Sequence, residues 1–129
     1  MPRQEKHGKR VSDRVEVDIS ALYESPTLYS LAQIRNISVG GAFVRSDVLD
    51  EPGTEHILQF AIPNQPHPLN LVGRVVWTRV EPPWHAGMGL EFIAMEDTDH
   101  RALSEFVTMV RGAHPLAAPD PGIPRILRN

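Results

Sequence analysis

The chain has 129 residues, 41% of them hydrophobic, and a formal net charge of −3 at pH 7. This length fits one domain with a core of its own and excludes two. The apolar runs are too short to span a bilayer or to form the core of a signal peptide, and the lack of cysteine excludes disulfides and thiolate metal sites. We therefore expect a soluble, cytoplasmic protein.

Positive charge is concentrated at the N-terminus. The first 14 residues contain five Lys or Arg and two Asp or Glu, a balance of +3, which leaves −6 for the remainder. Residues 1–9 show no apolar periodicity, so we expect a flexible basic arm. The acidic remainder of the chain argues against non-specific binding of nucleic acid, which needs a broad basic surface. A local basic arm suits the capture of a small anion, and the alternative is a solvated tail that only aids solubility.

Four short strands are predicted in the first half of the chain, separated by turns at residues 25–27, 40–41 and 50–53. The apolar positions that predict them are Val15, Val17 and Ile19, with Leu22 as an extension, in the first strand; Leu28, Ala32 and Ile34 in the second; Ala42, Phe43 and Val44 in the third; and Leu58, Phe60 and Ile62 in the fourth. The second strand delivers Asn36 at its end.

Two further strands and a helix are predicted in the second half. Alternation favours a fifth strand from Leu69 to Trp77 and, after a loop at residues 81–84, a sixth over residues 88–92. A helix begins at Asp97 or Thr98 and ends at Gly112. Its apolar face consists of Ala102, Leu103, Phe106, Val107 and Val110. Residues 113–129 contain four prolines and are predicted to be a flexible Pro-rich tail, with residues 123–128 as a short docking segment.

Six short strands with Gly and Pro between them indicate a small closed barrel or a sandwich, on which the helix packs. The domain is expected to occupy residues 10–112. No metal-ligand spacing joins the six histidines, and no nucleophile motif or phosphate-binding loop is present in the sequence. We therefore expect no catalysis, no cofactor and no metal.

Two arginines at the start of the domain stand four positions apart. Arg10 and Arg14 each offer a planar fork of donors that can bind a guanine edge or a phosphate and can stack on a base. Asn36 and Ser38 place short polar side chains at a strand end, and Gly40-Gly41 lets the backbone approach a ligand or take positive φ. Taken singly, these features have plain alternatives: surface ion pairs for the arginines, and a turn in which Asn36 and Ser38 bond the local backbone.

Arg10-Val-Ser-Asp-Arg14 and Asn36-Ile-Ser-Val-Gly-Gly41 together resemble the signature of the PilZ family of cyclic di-GMP receptors, R-x-x-x-R followed by [D/N]-x-S-x-x-G. Gly73-Arg-Val-Val-Trp77 and Gly87-Met-Gly-Leu-Glu-Phe92 resemble the mid-barrel and closing strands of that family. The resemblance runs from Lys9 to Arg111. It implies a mainly β fold, a small six-stranded antiparallel β-barrel with a C-terminal helix packed on it.

The resemblance also implies a ligand site. Its residues would be Arg10, Arg14, Asn36, Ser38, Gly40 and Gly41, with Lys9, Arg35 and Trp77 as secondary contacts. Arg45 and Arg74 would flank the site, although outward charges explain them equally well, and a tryptophan at a strand end is more often core or rim. Asn36 stands where many relatives have Asp, which removes a charge and weakens the contact with the guanine amino and imino hydrogens.

The function implied is a receptor module in which cyclic di-GMP orders the N-terminal arm and the altered surface signals to a partner protein, with motility or exopolysaccharide regulation as outputs. The alternative is a ligand-independent adaptor of pilus or motility machinery. RNA binding is a third and weaker reading, because the body is acidic. No membrane insertion is expected.

Overall fold

The computed structural model of the protein describes residues 14–81 and 85–113. The basic arm of residues 1–9, Lys9, Arg10, most of the predicted loop at 81–84 and the tail from residue 114 lie outside the described residues.

The described residues form six strands and one helix. They are β1 (Val15–Glu24), β2 (Tyr29–Ile37), β3 (Gly41–Arg45), β4 (Glu55–Phe60), β5 (Leu69–Glu81), β6 (His85–Ala94) and α1 (Asp97–Ala113). All neighbouring strands are antiparallel, in the order β1-β2-β3-β6-β5-β4, and β4 pairs with β1 to close the barrel. This confirms the predicted fold class, with a closed barrel and not a sandwich.

Alternating apolar side chains fill the barrel, as the period of two predicted. The largest fully buried ones are Tyr23, Ile34, Ile37, Leu58, Leu69, Leu71, Met88, Val44 and Val75. The helix adds Ala102, Leu103, Phe106 and Val107 to the same core, and the Asp99 carboxylate accepts a hydrogen bond from the Asn70 amide of β5 over 3.3 Å. Among the described residues, no helix has the length and apolar character that crossing a bilayer requires.

Bulges change which residues face inward. Between Glu16 and Ile19 the β1-β2 register shifts, and on β2 the buried positions change from Ala32 and Ile34 to Ile37. The inward side of β1 stays on the odd positions, so Leu22, predicted to extend the apolar face, faces away from the core and pairs with the exposed Leu31. Such a bulge adds a residue to one strand and re-aims those that follow. Simple alternation could not predict this shift, because it depends on the partner strand.

Several strand ends differ from the predictions. Leu28 lies in the turn before β2, where its carbonyl accepts a hydrogen bond from the Ser25 amide over 2.8 Å. Ile62 is buried but follows β4, and β5 runs on through Glu81 instead of ending at Trp77. In each case the pairing with a neighbouring strand, and not the local pattern, sets the end of the strand.

A buried polar cluster joins β1 to the loop before β4. The Asp50 carboxylate accepts hydrogen bonds from the hydroxyls of Tyr23 (2.7 Å), Ser25 (2.6 Å) and Thr27 (2.7 Å). Burial acts to raise the pKa of Asp50, but the three donors outweigh it and hold that pKa below its ordinary value. Burial, reinforced by Asp50, raises the pKa of the Tyr23 hydroxyl far above its usual range.

His56 of β4 lies inside the barrel, which sequence reasoning did not predict. Its ring is 3% exposed and stacks on Tyr23 with 4.6 Å between ring centroids. Neither ring nitrogen has a hydrogen-bond partner among the described residues. Burial lowers the pKa of His56, and the Thr54 backbone and the Asp50 charge oppose this only in part. The ring is therefore neutral at pH 7.

Candidate functional site

The β1-β2 pairing brings the two halves of the sequence signature together. Arg14 lies directly before β1, and Val15 and Glu16 pair with Ile37 and Asn36 at the end of β2. The Arg14 guanidinium Nη1 donates a hydrogen bond to the Asn36 carboxamide oxygen over 3.3 Å. The β2 bulge between Ile34 and Asn36 turns the Asn36 side chain to the outer surface of the barrel. An arginine and a carboxamide thus share one outward surface, where a planar polar ligand can reach both.

Ser38 shapes the turn that follows β2. Its hydroxyl oxygen accepts a hydrogen bond from the Gly40 amide over 3.1 Å, and its own amide donates to the Gly41 carbonyl over 2.8 Å. The residue is only 8% exposed. In this geometry the Ser38 hydroxyl holds the local backbone, as the turn alternative describes, and its role as a ligand contact stays a prediction.

The two glycines of the signature, Gly40 and Gly41, have different structural roles. Neither has the positive φ that their sequence allowed. Gly41 is buried, and a Cβ there would overlap the Leu90 carbonyl oxygen of β6, so glycine is required for the close approach of β3 to β6. Gly40 is exposed, and its carbonyl accepts a hydrogen bond from the Phe92 amide over 2.9 Å.

An aromatic pair continues the outward surface from Asn36. Register places Asn36 opposite Phe43, Phe43 opposite Gly89 and Gly89 opposite Trp77, a single row across four strands. The rings of Phe43 and Trp77 stack with centroids 5.4 Å apart and planes 13° apart. Trp77 is 38% exposed and lies over Gly89, where any Cβ would overlap the indole. Trp77 is therefore a surface residue on the same face as Asn36.

Arg79 is a surface residue of this face that sequence reasoning missed. Its guanidinium lies 4.8 Å from the Phe43 ring centroid and 5.8 Å from that of Trp77. The signal available in the sequence was parity, since Arg79 follows Trp77 by two positions and so shares its side of the strand. Parity alone does not predict a site role for Arg79, because its contact with Phe43 depends on the position of a distant strand.

The other arginines named from the sequence differ in their partners. Arg35, predicted as a secondary contact, forms an ion pair with Asp18 at 3.5 Å, and Arg74 lies 3.5 Å from Glu55 and 3.7 Å from Glu91. Surface pairs of this kind contribute little stability but occupy the guanidinium. Arg45, by contrast, has no carboxylate partner among residues 14–81 and 85–113.

A metal centre is not formed by the described part of the chain, where no three His, Cys, Asp or Glu side chains gather in one place. A shallow depression of about 350 Å³ beside Arg45 is lined by Ser20 of β1 and Gln33 of β2, by Ser46 and Asp47 directly after β3, and by Ala86 of β6. It borders the outer face that carries Asn36, Phe43, Trp77 and Arg79. The arrangement suits the surface binding of a flat, anionic ligand.

The barrel, its covering helix and this outer face define a small domain with a surface site. The family model of the PilZ domain matches residues 8–109, and the chain belongs to the PilZ domain family. The predicted resemblance is confirmed. No curated protein matches the sequence of this chain.

Solved structures share the fold. The Bacillus subtilis inhibitor of motility MotI/DgrA superposes with a TM-score of 0.67 at 20% identity, over 74% of this chain and 48% of that one. The PilZ domain of CeSA from a cellulose-synthesising bacterium gives 0.56 at 15% identity, over 74% of this chain and 95% of that one. The PilZ domain of YcgR from Escherichia coli, solved with c-di-GMP, gives 0.58 at 9% identity, over 75% and 87%. This chain thus spans about half of the MotI/DgrA chain.

Proposed function

We propose that this domain is a cyclic di-GMP receptor whose ligand binds on the outer face of β1, β2 and β3. The observation that carries the proposal is the contact between Arg14 and Asn36, one residue from each half of the signature, on the surface of a PilZ domain. A PilZ structure of the same fold, that of YcgR, was solved with c-di-GMP. Binding is the whole chemistry of the site, with no reaction, cofactor or metal.

Arg14 has the chemistry to bind this ligand. The guanidinium has five N–H donors, so the single hydrogen bond to Asn36 leaves others for a phosphate oxygen or the O6 and N7 acceptors of guanine. The carboxamide oxygen of Asn36 orients the guanidinium on the outer face. Arg10, four positions earlier, would supply a second guanidinium. The turn of Ser38, Gly40 and Gly41 would place polar groups beneath the ligand.

The aromatic row extends the same surface. Trp77 presents part of its indole beside the site, and a base can stack on such a ring for about 1–3 kcal/mol. We include Trp77 and Lys9 as secondary contacts. Arg35 is the weaker choice of the predicted set, because Asp18 engages its guanidinium.

Signalling would follow from the arm. Residues 1–9 carry Lys and Arg that a bound dianion attracts, so the ligand binds the state with the arm on the barrel better than any other state. The ordered arm presents a new surface to a partner protein in the cytoplasm. Such a switch works only through the difference in ligand affinity between the two states.

Calorimetric titration of the full chain with cyclic di-GMP tests the proposal. We expect saturable binding that Arg10→Ala and Arg14→Ala each weaken about tenfold or more, since a bidentate arginine contact contributes roughly 1–3 kcal/mol. Arg74→Ala is the matched control, because Glu55 and Glu91 already hold that arginine. Absence of binding to the wild-type chain would contradict the proposal and favour the ligand-independent adaptor.

A further inference from the structure

Exposed apolar side chains adjoin one another on the outer face of β2, β1, β4 and β5. Strand pairing places Tyr29, Glu24, Ile57 and Val72 in one row across these four strands. Tyr29 and Ile57 are 68% and 45% exposed, and Leu31, two positions after Tyr29 on the same side of β2, is 70% exposed. Single exposed apolar residues are ordinary, but a contiguous group with polar neighbours marks an interaction surface.

Part of this surface is a groove of about 430 Å³, which we call the acidic groove. Its lining residues are Glu24, Ser25, Pro26, Glu55, His56, Ile57 and Val72. Glu55 already pairs with Arg74 at 3.5 Å, whereas Glu24 has no ion pair within the part of the chain that the structure describes. An occupant of this groove needs aliphatic side chains for Ile57 and Val72 and a positive charge for Glu24.

One segment of the chain outside the described residues has that composition. Residues 123–128, Ile-Pro-Arg-Ile-Leu-Arg, contain three aliphatic side chains, two arginines and no acidic residue. The basic arm of residues 1–9 also has positive charge, but it contains no Val, Ile, Leu or aromatic residue that could fill an apolar groove. Charge and apolar character therefore select residues 123–128 as the occupant.

Helix α1 begins near the acidic groove, and the chain after it is long enough to return there. The Asp99 carboxylate accepts a hydrogen bond from the Asn70 amide, two residues before Val72 on β5. From Asp99 to Ala113 the helix rises about 21 Å, at roughly 1.5 Å per residue. Thirteen positions separate Ala113 from Ile126, and an extended chain of that length spans about 43 Å. The segment can therefore reach the groove of its own molecule.

We propose that residues 123–128 dock in the acidic groove of the same molecule. Their aliphatic side chains pack against Ile57 and Val72, and one of their arginines forms an ion pair with Glu24. Burial of apolar surface supplies most of the affinity, because exposed ion pairs contribute little, and the ion pair fixes the position of the segment. Asn36 lies at the opposite end of β2, so this inference is independent of the proposed ligand site.

Disulfide trapping in the full-length chain tests the proposal, because the protein has no cysteine of its own. Pro26→Cys places a thiol in the groove, and it is combined in turn with Gly122→Cys and Asn129→Cys, which flank the segment. Under mild oxidation we expect an intramolecular disulfide in at least one of the two pairs. It should form about ten times faster than in the same pair carrying Ile126→Ser and Leu127→Ser, since docking raises the effective concentration of the thiols.

The charge contribution is tested in the same cysteine pair. Glu24→Gln should slow formation of the disulfide severalfold, and added salt should slow it in the chain that keeps Glu24, because salt screens exposed ion pairs. Glu16→Gln is the matched control, since Glu16 lies on the same strand but does not line the groove, and it should leave the rate unchanged. Thermal melting of each variant verifies that the barrel is folded.

Two results would overturn the proposal. One is an equal rate of disulfide formation with the native segment and with the segment that carries Ile126→Ser and Leu127→Ser. The other is a disulfide-linked dimer, with a yield that rises with protein concentration, in place of a linked monomer, because the segment would then bind a second copy of the chain and not its own groove.

Discussion

Arg14 and Asn36 lie 22 positions apart in the chain, and a hydrogen bond of 3.3 Å joins the guanidinium of one to the carboxamide oxygen of the other. The β1-β2 pairing creates this contact by placing Glu16 opposite Asn36, so the surface site depends on the hairpin register. Changing the carboxamide should therefore change the ligand affinity without unfolding the barrel.

We expect Asn36→Ala to weaken cyclic di-GMP binding and Asn36→Asp to strengthen it severalfold, because a carboxylate accepts charge-assisted hydrogen bonds from the guanine amino and imino groups. Calorimetric affinities of the two variants give the comparison. Tyr29→Phe, at the exposed far end of the same strand, is the control. Weaker binding by Asn36→Asp would mean that repulsion of the ligand phosphates outweighs the new hydrogen bonds.

Ser38→Ala should lower both stability and ligand affinity, because the turn loses the hydrogen bond from the Gly40 amide to the serine hydroxyl. We expect a loss of about 1 kcal/mol in the free energy of unfolding, measured by urea denaturation. Thr54 is a matched control, since its hydroxyl also holds a turn by donating a hydrogen bond to the Glu51 carbonyl over 2.7 Å. Thr54→Val should destabilise the barrel by a similar amount and leave ligand affinity unchanged.

Gly89→Ala should displace Trp77 from its position over β6, because the new Cβ would overlap the indole. We expect a loss of about 1–3 kcal/mol in stability, as for other overpacked sites, and a red shift in Trp77 emission, measured in a Trp84→Phe background. Gly112→Ala has open space around it and should cause neither change. An unshifted emission spectrum would show that the indole does not depend on Gly89.

Tyr23→Phe removes the hydroxyl that donates to Asp50 over 2.7 Å inside the barrel. Hydrogen bonds to a charged group contribute about 1.5–3 kcal/mol, and we expect a loss of that order in the free energy of unfolding. Tyr29→Phe is the control, since Tyr29 is 68% exposed and its change should stay within about 0.5 kcal/mol. Equal stability of the two variants would contradict a stabilising role for the Asp50 cluster.

Stability should fall as the pH drops below the ordinary histidine pKa of 6.5. The folded state lowers the pKa of His56, so below 6.5 the unfolded chain takes up a proton that the folded chain does not, and protonation favours unfolding. The loss grows until the pH reaches the lowered pKa of the folded state. Urea midpoints between pH 7 and 5 should show this slope in the wild type and not in His56→Phe. His100→Gln, at an exposed position, should keep it.

Asp50 adds a second loss at lower pH. Its pKa is depressed in the folded state, so its contribution is present above the ordinary value of 3.8 and is lost as the pH falls toward the depressed pKa. Asp50→Asn should remove that loss in a urea series carried below pH 3.8, although its stability at pH 7 should already be lower.

Much of the fold could be predicted from the chain alone. Alternation at Leu58 and Phe60 or at Met88 and Leu90 marks strands, because each such strand buries one face, and the helical spacing of Leu103, Phe106 and Val107 marks α1. The signature that contains Arg14 and Asn36 also predicted the position of the candidate ligand site, since its residue types have a specific hydrogen-bonding chemistry.

Tertiary structure decided the rest, because it depends on which strands meet. The bulge that turns Asn36 outward, the stack of Phe43 on Trp77 and the free guanidinium of Arg79 arise from pairings between residues far apart in sequence. Gly41 and Gly89 look like turn or flexibility residues in the chain, yet the barrel requires them for the close approach of neighbouring groups. Local patterning thus determined that short strands and one helix enclose an apolar core. Strand pairing determined that the sheet closes into a barrel and which polar groups share its outer face, since register is fixed only when distant strands pair.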